Sequence, residues 1–261
     1  MLNQTTLSTT IKNRTEFLKQ TLPTWLKQDF KNIYILNWAS NDTDVLIDWI
    51  KSINDNRIIL ETITGQGTEW FIGSTSRNIA CERALELTKP EYLFQIDSDI
   101  IINPSISDLK LQKDKMYVHP SSYFLKFSLP LNVKYGDDEL KDRNDFGAFG
   151  SVLMPAEYVF KYGHYDEKYT ENNMFDAIYL KNYYDNELGN IWMFRDEIEH
   201  IPHSNELRAA NSKLGSLLES TWHSRSMYEY PELMVPRRTY KRVVNGLVLE
   251  SAAEQNSTAL G

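Results

Sequence analysis

Apolar and polar positions alternate in two different rhythms along the first hundred residues. Short β-prone runs at Thr5–Ile11, Ile33–Leu36, Ile58–Leu60 and Tyr92–Ile96 are separated by stretches whose apolar residues recur every three or four positions. Phe17, Leu18, Leu22, Trp25 and Leu26 predict one helix, with Pro23 expected to kink or divide it. Val45, Leu46, Trp49, Ile50 and Ile53 predict a second. Ile79, Ala80, Ala84 and Leu87 predict a third, capped by Ser74, Thr75 and Ser76. The order strand, helix, strand, helix, strand, helix, strand implies an α/β fold, a Rossmann-like, mainly parallel sheet with helices on both faces.

After Pro104 the rhythm is less regular. Met116–His119 predicts a strand, Pro155 the start of a short helix through Phe160, and Phe175, Ile178 and Tyr179 a further helix before a strand at Ile191–Phe194. From about residue 246 the chain is small and polar, which predicts a flexible tail. A single domain over 1–245 is expected, with 1–104 as one half and 105–245 as the other, followed by a tail over 246–261.

The totals narrow the function. A chain of 261 residues that is 41% hydrophobic can bury a sizeable core. Its net charge of -8 argues against a general binder of nucleic acid or anionic membrane. One cysteine, Cys81, excludes an intramolecular disulfide framework and a multi-cysteine zinc site, and its alanine neighbours predict a packed helix interior. Neither a secretory leader nor a membrane span stands out, so a cytoplasmic location is expected, with a bacterial or viral source.

The candidate chemistry starts where the fourth strand ends. Tyr92-Leu93-Phe94-Gln95-Ile96 runs into Asp97-Ser98-Asp99, two carboxylates one residue apart at the carboxyl end of a buried strand. Open α/β sheets bind ligands at that end, and paired carboxylates suit a hard divalent cation that holds phosphates. Asp42-Thr43-Asp44 has the same spacing, but it opens the second helix, where acids cap the helix and complement its dipole.

The order of these pieces resembles the GT-A glycosyltransferases, most closely family 2 and the β-1,4-galactosyltransferase family, over about residues 6–211. Thr10-Ile11-Lys12-Asn13-Arg14 resembles the first-strand segment that contacts the nucleotide. Asn37-Trp38-Ala39-Ser40-Asn41-Asp42 is similar to a loop in which an acid usually holds the base; here Asn37 stands in its place. Ser76-Arg77-Asn78 matches the Arg-Asn segment before the metal motif, and Asp97-Ser98-Asp99 falls where these families carry Asp-x-Asp. The resemblance implies a metal ligand at Asp99 and a ribose or metal-bound water contact at Asp97. It further implies a donor site that includes Thr10, Lys12, Arg14, Asn37 and Arg77.

Further along, Phe146-Gly147-Ala148-Phe149-Gly150-Ser151 resembles the Gly-rich acceptor loop, and Gly163-His164-Tyr165-Asp166-Glu167 the turn after it. The family's acidic pair is here Phe175-Asp176, so the resemblance implies Asp176 as catalytic base, with Asp145 and Glu171 in reserve. His200-Ile201-Pro202-His203-Ser204 matches a manganese-binding His-Ser, which implies His203 as a metal ligand and His200 in the position of the second ligand. On a regular strand the two imidazoles would point to opposite faces, and only a bend near Pro202 would bring both to one metal.

The implied activity is metal-dependent transfer of a sugar from a nucleoside-diphosphate sugar, with UDP expected, to a glycan hydroxyl, inverting. Manganese is the expected cofactor, with magnesium second, because imidazole is a poor magnesium ligand. A nucleotidyltransferase would have a Gly-rich, Arg-containing loop after its first strand, and none is present. Two other readings stay open. Arg237-Arg238-Thr239-Tyr240-Lys241-Arg242 is a basic cluster that would suit a DNA acceptor of the viral type, and the missing acid at Phe175 would suit a non-catalytic carbohydrate-binding relative.

Overall fold

A computed structural model describes residues 2–65, 68–69, 71, 73–118, 151–161, 191–193, 196–201, 241–244 and 247–249. The chain alternates β1 (Thr5–Ile11), α1 (Thr15–Leu26), β2 (Asn32–Trp38), α2 (Thr43–Ile53), β3 (Ile58–Thr64), α3 (Gly73–Thr88) and β4 (Tyr92–Gln95). There follow β5 (Ile100–Ile102), β6 (Met116–Val118), β7 (Val152–Pro155), α4 (Ala156–Lys161), β8 (Ile191–Met193), β9 (Ile198–His200), β10 (Lys241–Val244) and β11 (Leu247–Leu249).

The main sheet has the order β11-β10-β3-β2-β1-β4-β7-β6-β8, and a second sheet pairs β5 with β9. Strands β1 to β4 are parallel to one another, and in the main sheet only β7 and β10 run against the rest. The expected mainly parallel sheet with helices on both faces is therefore present. Period-two alternation divides the strands between two cores. Leu7, Ile33, Ile35 and Phe94 pack with Leu18, Leu22 and Trp25 of α1 and Leu46 of α2; Tyr34, Leu36, Trp38 and Leu93 pack with Ile79, Ala80 and Ala84 of α3.

Strand β1 lies between β2 and β4 and is buried along its whole length, although four of its seven residues are threonine. Thr6 shows how hydroxyls are accommodated there: its Oγ1 lies 2.7 Å from Thr88 Oγ1 of α3. Glu61 of β3, fully buried, accepts from the Tyr34 hydroxyl at 2.8 Å and from Arg83 Nε at 3.1 Å, which fixes α3 against the sheet. Cys81 is buried in α3 with Sγ 3.1 Å from Gln95 Oε1, and burial pushes its thiol up to about 12. It is an inert packing residue, as its neighbours in the sequence suggested.

Four local expectations need correction. Helix α1 runs unbroken from Thr15 to Leu26 through Pro23, which lies on its exposed face. Helix α3 begins at Gly73, so Ser74, Thr75 and Ser76 lie inside its first turn and do not cap it; Ser76 Oγ donates back to the Gly73 carbonyl at 3.0 Å. Asp42 occupies the N-cap position of α2 without a side-chain cap bond. Leu247–Leu249 pairs with β10 at the sheet edge, so part of the expected tail belongs to the sheet. Among the described residues no helix is long and apolar enough to cross a membrane.

Among the described residues, later strands return to strands β3, β4 and β5. Strand β7 pairs with β4, β9 with β5, and β10 with β3. The second of these contacts completes the site.

Candidate active site

The carboxyl ends of β1, β2, β3 and β4 face a common region, and the loops leaving them are tied together. At the end of β1, Lys12 is buried, and its Nζ donates to the carbonyls of Trp38 and Ala39 at 3.1 Å each and of Thr68 at 2.7 Å. Burial lowers its pKa below the usual lysine value, against the opposing charge of Glu69. Lys12 thus joins the loops after β2 and β3. Asn13 (φ 53°) and Ala39 (φ 43°) both adopt the left-handed region. Asparagine tolerates it, whereas at alanine it costs roughly 1–2 kcal/mol. The bonds around them hold that conformation: Asn13 N donates to Ser40 Oγ at 2.9 Å, and Asn41 N donates to Asn13 Oδ1 at 2.8 Å.

Asn37 is fully buried. Its Nδ2 donates to Thr43 Oγ1 at 2.9 Å and Thr62 Oγ1 at 3.3 Å, while its Oδ1 accepts from Ser40 N at 3.2 Å. The residue expected near the base shapes the β2–α2 loop from beneath. Thr10 is buried on β1, on the α3 side of the sheet.

Beyond β4, the segment 97–102 is held from two sides. From α1, Thr21 Oγ1 donates to the Ser98 carbonyl and Trp25 Nε1 to the Ile100 carbonyl, both at 2.7 Å, and Thr24 Oγ1 accepts from Ile102 N at 3.1 Å. Residues one helical turn apart meet backbone groups two residues apart, so helix and strand periods coincide along this seam. From the other side, β9 pairs antiparallel with β5, setting His200 opposite Ile100, and Ile201 N donates to the Asp99 carbonyl at 2.8 Å.

This scaffold sets two carboxylates beside two guanidiniums. Asp99, with 1% of its side chain exposed, accepts from Arg14 Nη1 at 2.5 Å on Oδ2. His200 Nε2 stands 3.7 Å from the same oxygen. Asp97, 28% exposed, accepts from Arg77 Nη2 of α3 at 2.5 Å. Of the expected site residues, Arg14, Arg77, Asp97, Asp99 and His200 are therefore brought together, and Lys12 and Asn37 support the loops beside them. Asp176, His203, Asp145 and Glu171 lie outside the described residues.

The direct pairing of Arg14 with Asp99 was not anticipated, nor were the parts played by Thr21 and Trp25. A signal for the last two existed: threonine inside an apolar helical stripe, and an indole whose N–H needs a partner when buried.

Among the described residues no three His, Cys, Asp or Glu side chains form a closed metal cluster. The donor set present, one buried carboxylate with an imidazole beside it, still fits a divalent cation whose remaining ligands come from a bound phosphate group. The guanidinium of Arg14 shows that Asp99 Oδ2 already accommodates positive charge.

No protein-family model matches the sequence, and no curated protein matches it. Solved structures do. S. aureus TarS, residues 1–349, is 13% identical, with a TM-score of 0.52 over 82% of this chain and 64% of that one. The mannosyltransferase PcManGT from Pyrobaculum calidifontis, solved in complex with GDP-Man and Mn2+, is 12% identical, with a TM-score of 0.54 over 88% of this chain and 68% of that one. The chain spans just under two thirds of the TarS 1–349 chain. The likeness to the β-1,4-galactosyltransferases stands on the sequence motifs alone. Strand order and helices on both faces, with the likeness to these two structures, give the chain the GT-A fold of glycosyltransferases.

Proposed function

We propose that this chain is a metal-dependent glycosyltransferase that moves a sugar from a nucleoside-diphosphate sugar to an acceptor hydroxyl. The observation that carries the reading is the pair Asp97 and Asp99 at the carboxyl end of β4, each beside an arginine, with His200 delivered to Asp99 by β9. A GT-A neighbour solved with GDP-Man and Mn2+ supports it.

In this reading the loops after β1 and β2, joined through Lys12 and Asn13, form the nucleoside side of the site. Asp97 contacts the ribose or a metal-bound water. Arg14 and Arg77 place positive charge beside the diphosphate as the glycosidic bond to it breaks. Asp99, His203 and His200 would hold manganese, or magnesium less readily, and the cation would act as a Lewis acid on the leaving diphosphate. Asp176 takes the proton of the acceptor hydroxyl, which gives inversion. UDP is the expected nucleotide and a glycan the expected acceptor. The chain divides functionally into a donor half over 1–104 and an acceptor half over 105–245.

Calorimetric titration of UDP and GDP, each with and without Mn2+, tests the donor site. Binding of one nucleotide that depends on the metal is the expected result. Failure of both to bind under any metal condition overturns the reading and leaves the non-catalytic carbohydrate-binding relative in its place.

One observation favours a second reading of the acceptor as DNA. Lys241 lies in register with Thr64, at the carboxyl end of β3, so Lys241 and Arg242, the last residues of the basic cluster, join the sheet at the end that carries the donor site. With DNA as acceptor, labelled duplex binds with a steep salt dependence, and changing Arg237 and Arg238 to glutamine lowers the log–log slope by about 0.9 for each phosphate contact removed. An unchanged slope in fluorescence anisotropy returns the acceptor to a glycan.

A further inference from the structure

The Arg14–Asp99 pair has a consequence for how the metal enters, and it rests on the reading above. Asp99 is almost completely enclosed, and its Oδ2 is occupied by Arg14 Nη1 at 2.5 Å, while Arg14 itself is 17% exposed. Arg14 leaves β1 just before α1, and its guanidinium also lies 5.8 Å from the centre of the Phe17 ring. The arginine therefore keeps a contact outside the carboxylate and reaches solvent, whereas Asp99 is enclosed. A divalent cation approaching Oδ2 meets a positive charge already on that oxygen. Coulomb repulsion between the two is strong where the carboxylate is shielded from water.

We infer that Arg14 is a positioning residue that competes with the metal for Asp99 and is released by the donor's diphosphate, so that metal and nucleotide bind with positive coupling. Two negative phosphates offer the guanidinium a bidentate partner better than a single carboxylate oxygen. Once Arg14 moves to them, Asp99 Oδ2 is open to the cation, which the same phosphates also attract. Neither ligand meets this favourable arrangement alone. Because coupling is reciprocal, the metal strengthens nucleotide binding by the same factor as the nucleotide strengthens metal binding. Arg77, which holds Asp97, has no part in this exchange, because Asp97 is the more exposed carboxylate and its partner sits on a different element.

The test measures Mn2+ binding by the loss of the free-ion electron paramagnetic resonance signal, with and without UDP or GDP. It uses wild type, Arg14→Gln, Arg14→Lys and Asp99→Asn. In wild type the nucleotide is expected to strengthen Mn2+ binding by about tenfold or more. In Arg14→Gln, Mn2+ alone should bind tighter than it does to wild type, and most of the nucleotide's enhancement should vanish. Arg14→Lys, which keeps the charge, should retain part of it. Removing Arg14 leaves a buried carboxylate without that partner, so each variant is checked by circular dichroism and by its melting temperature. A larger rise in Tm on adding Mn2+ to Arg14→Gln than to wild type is the same result read through stability. Equal or weaker Mn2+ binding by folded Arg14→Gln overturns the competition while leaving the donor site standing. Absence of Mn2+ binding to wild type even with nucleotide, or binding unaltered in Asp99→Asn, overturns the metal site itself and the competition with it.

Discussion

Asp99→Ala is expected to abolish metal-dependent nucleotide binding, lowering the affinity measured with Mn2+ by about 10²-fold or more. The size follows from the carboxylate's position. Asp99 is the one acid of the Asp-x-Asp pair that is enclosed, and the pairing of β5 with β9 brings the His200 imidazole beside it. Alanine removes the oxygen donor and leaves Arg14 beside the site, so the cation loses a ligand and keeps a repelling charge. Binding measured without metal should change far less, because Arg14 is then available to the diphosphate. Calorimetry with the nucleotide that wild type prefers, with and without Mn2+, separates the two effects. Equal affinities for wild type and a folded Asp99→Ala in the presence of Mn2+ would remove Asp99 from the metal site.

Trp25→Ala is expected to have the largest effect on stability, a loss of about 3–5 kcal/mol in urea unfolding. Trp25 is fully buried between α1 and the sheet, and it is also the donor that fixes the Ile100 carbonyl. Trp25→Phe separates the two roles. It keeps most of the apolar volume but leaves that buried carbonyl without the indole N–H, at a cost of about 1–3 kcal/mol. Because Ile100 adjoins Asp99 and pairs with His200, the phenylalanine variant should weaken Mn2+ binding in the presence of nucleotide even where it remains folded. A Trp25→Phe protein with the metal affinity of wild type would make this hydrogen bond a matter of stability alone.

The alternation from β1 to β4 was legible because each element there buries one or two regular faces, and burial imposes a period of two or of three to four on the residues themselves. The Asp-x-Asp pair stood out for a related reason, since an apolar run that ends in two acids marks a strand leaving the core. Element ends were less legible. Ser74 to Ser76 have the composition of a cap, yet small residues are also what lets α3 lie close to the sheet, and nearly all of its first two turns is buried. Pro23 suggested a break, and its exposure made it harmless. Leu247–Leu249 is only three residues long, too short to show a period of its own, so nothing in its pattern distinguished it from the tail beyond.

By itself the sequence determined the α/β class, the order of the first seven elements, and the identity of the acids and arginines that surround the site. These depend on local periodicity and on residue chemistry. Only the tertiary structure decided that Arg14 meets Asp99, that Arg77 meets Asp97, that Lys12 and Asn37 serve the loops, and that β9 brings His200 to the end of β5. Each of these includes a contact between residues from 20 to about 100 positions apart, and such contacts are chosen by the summed packing of the sheet, which leaves no periodic trace in either partner.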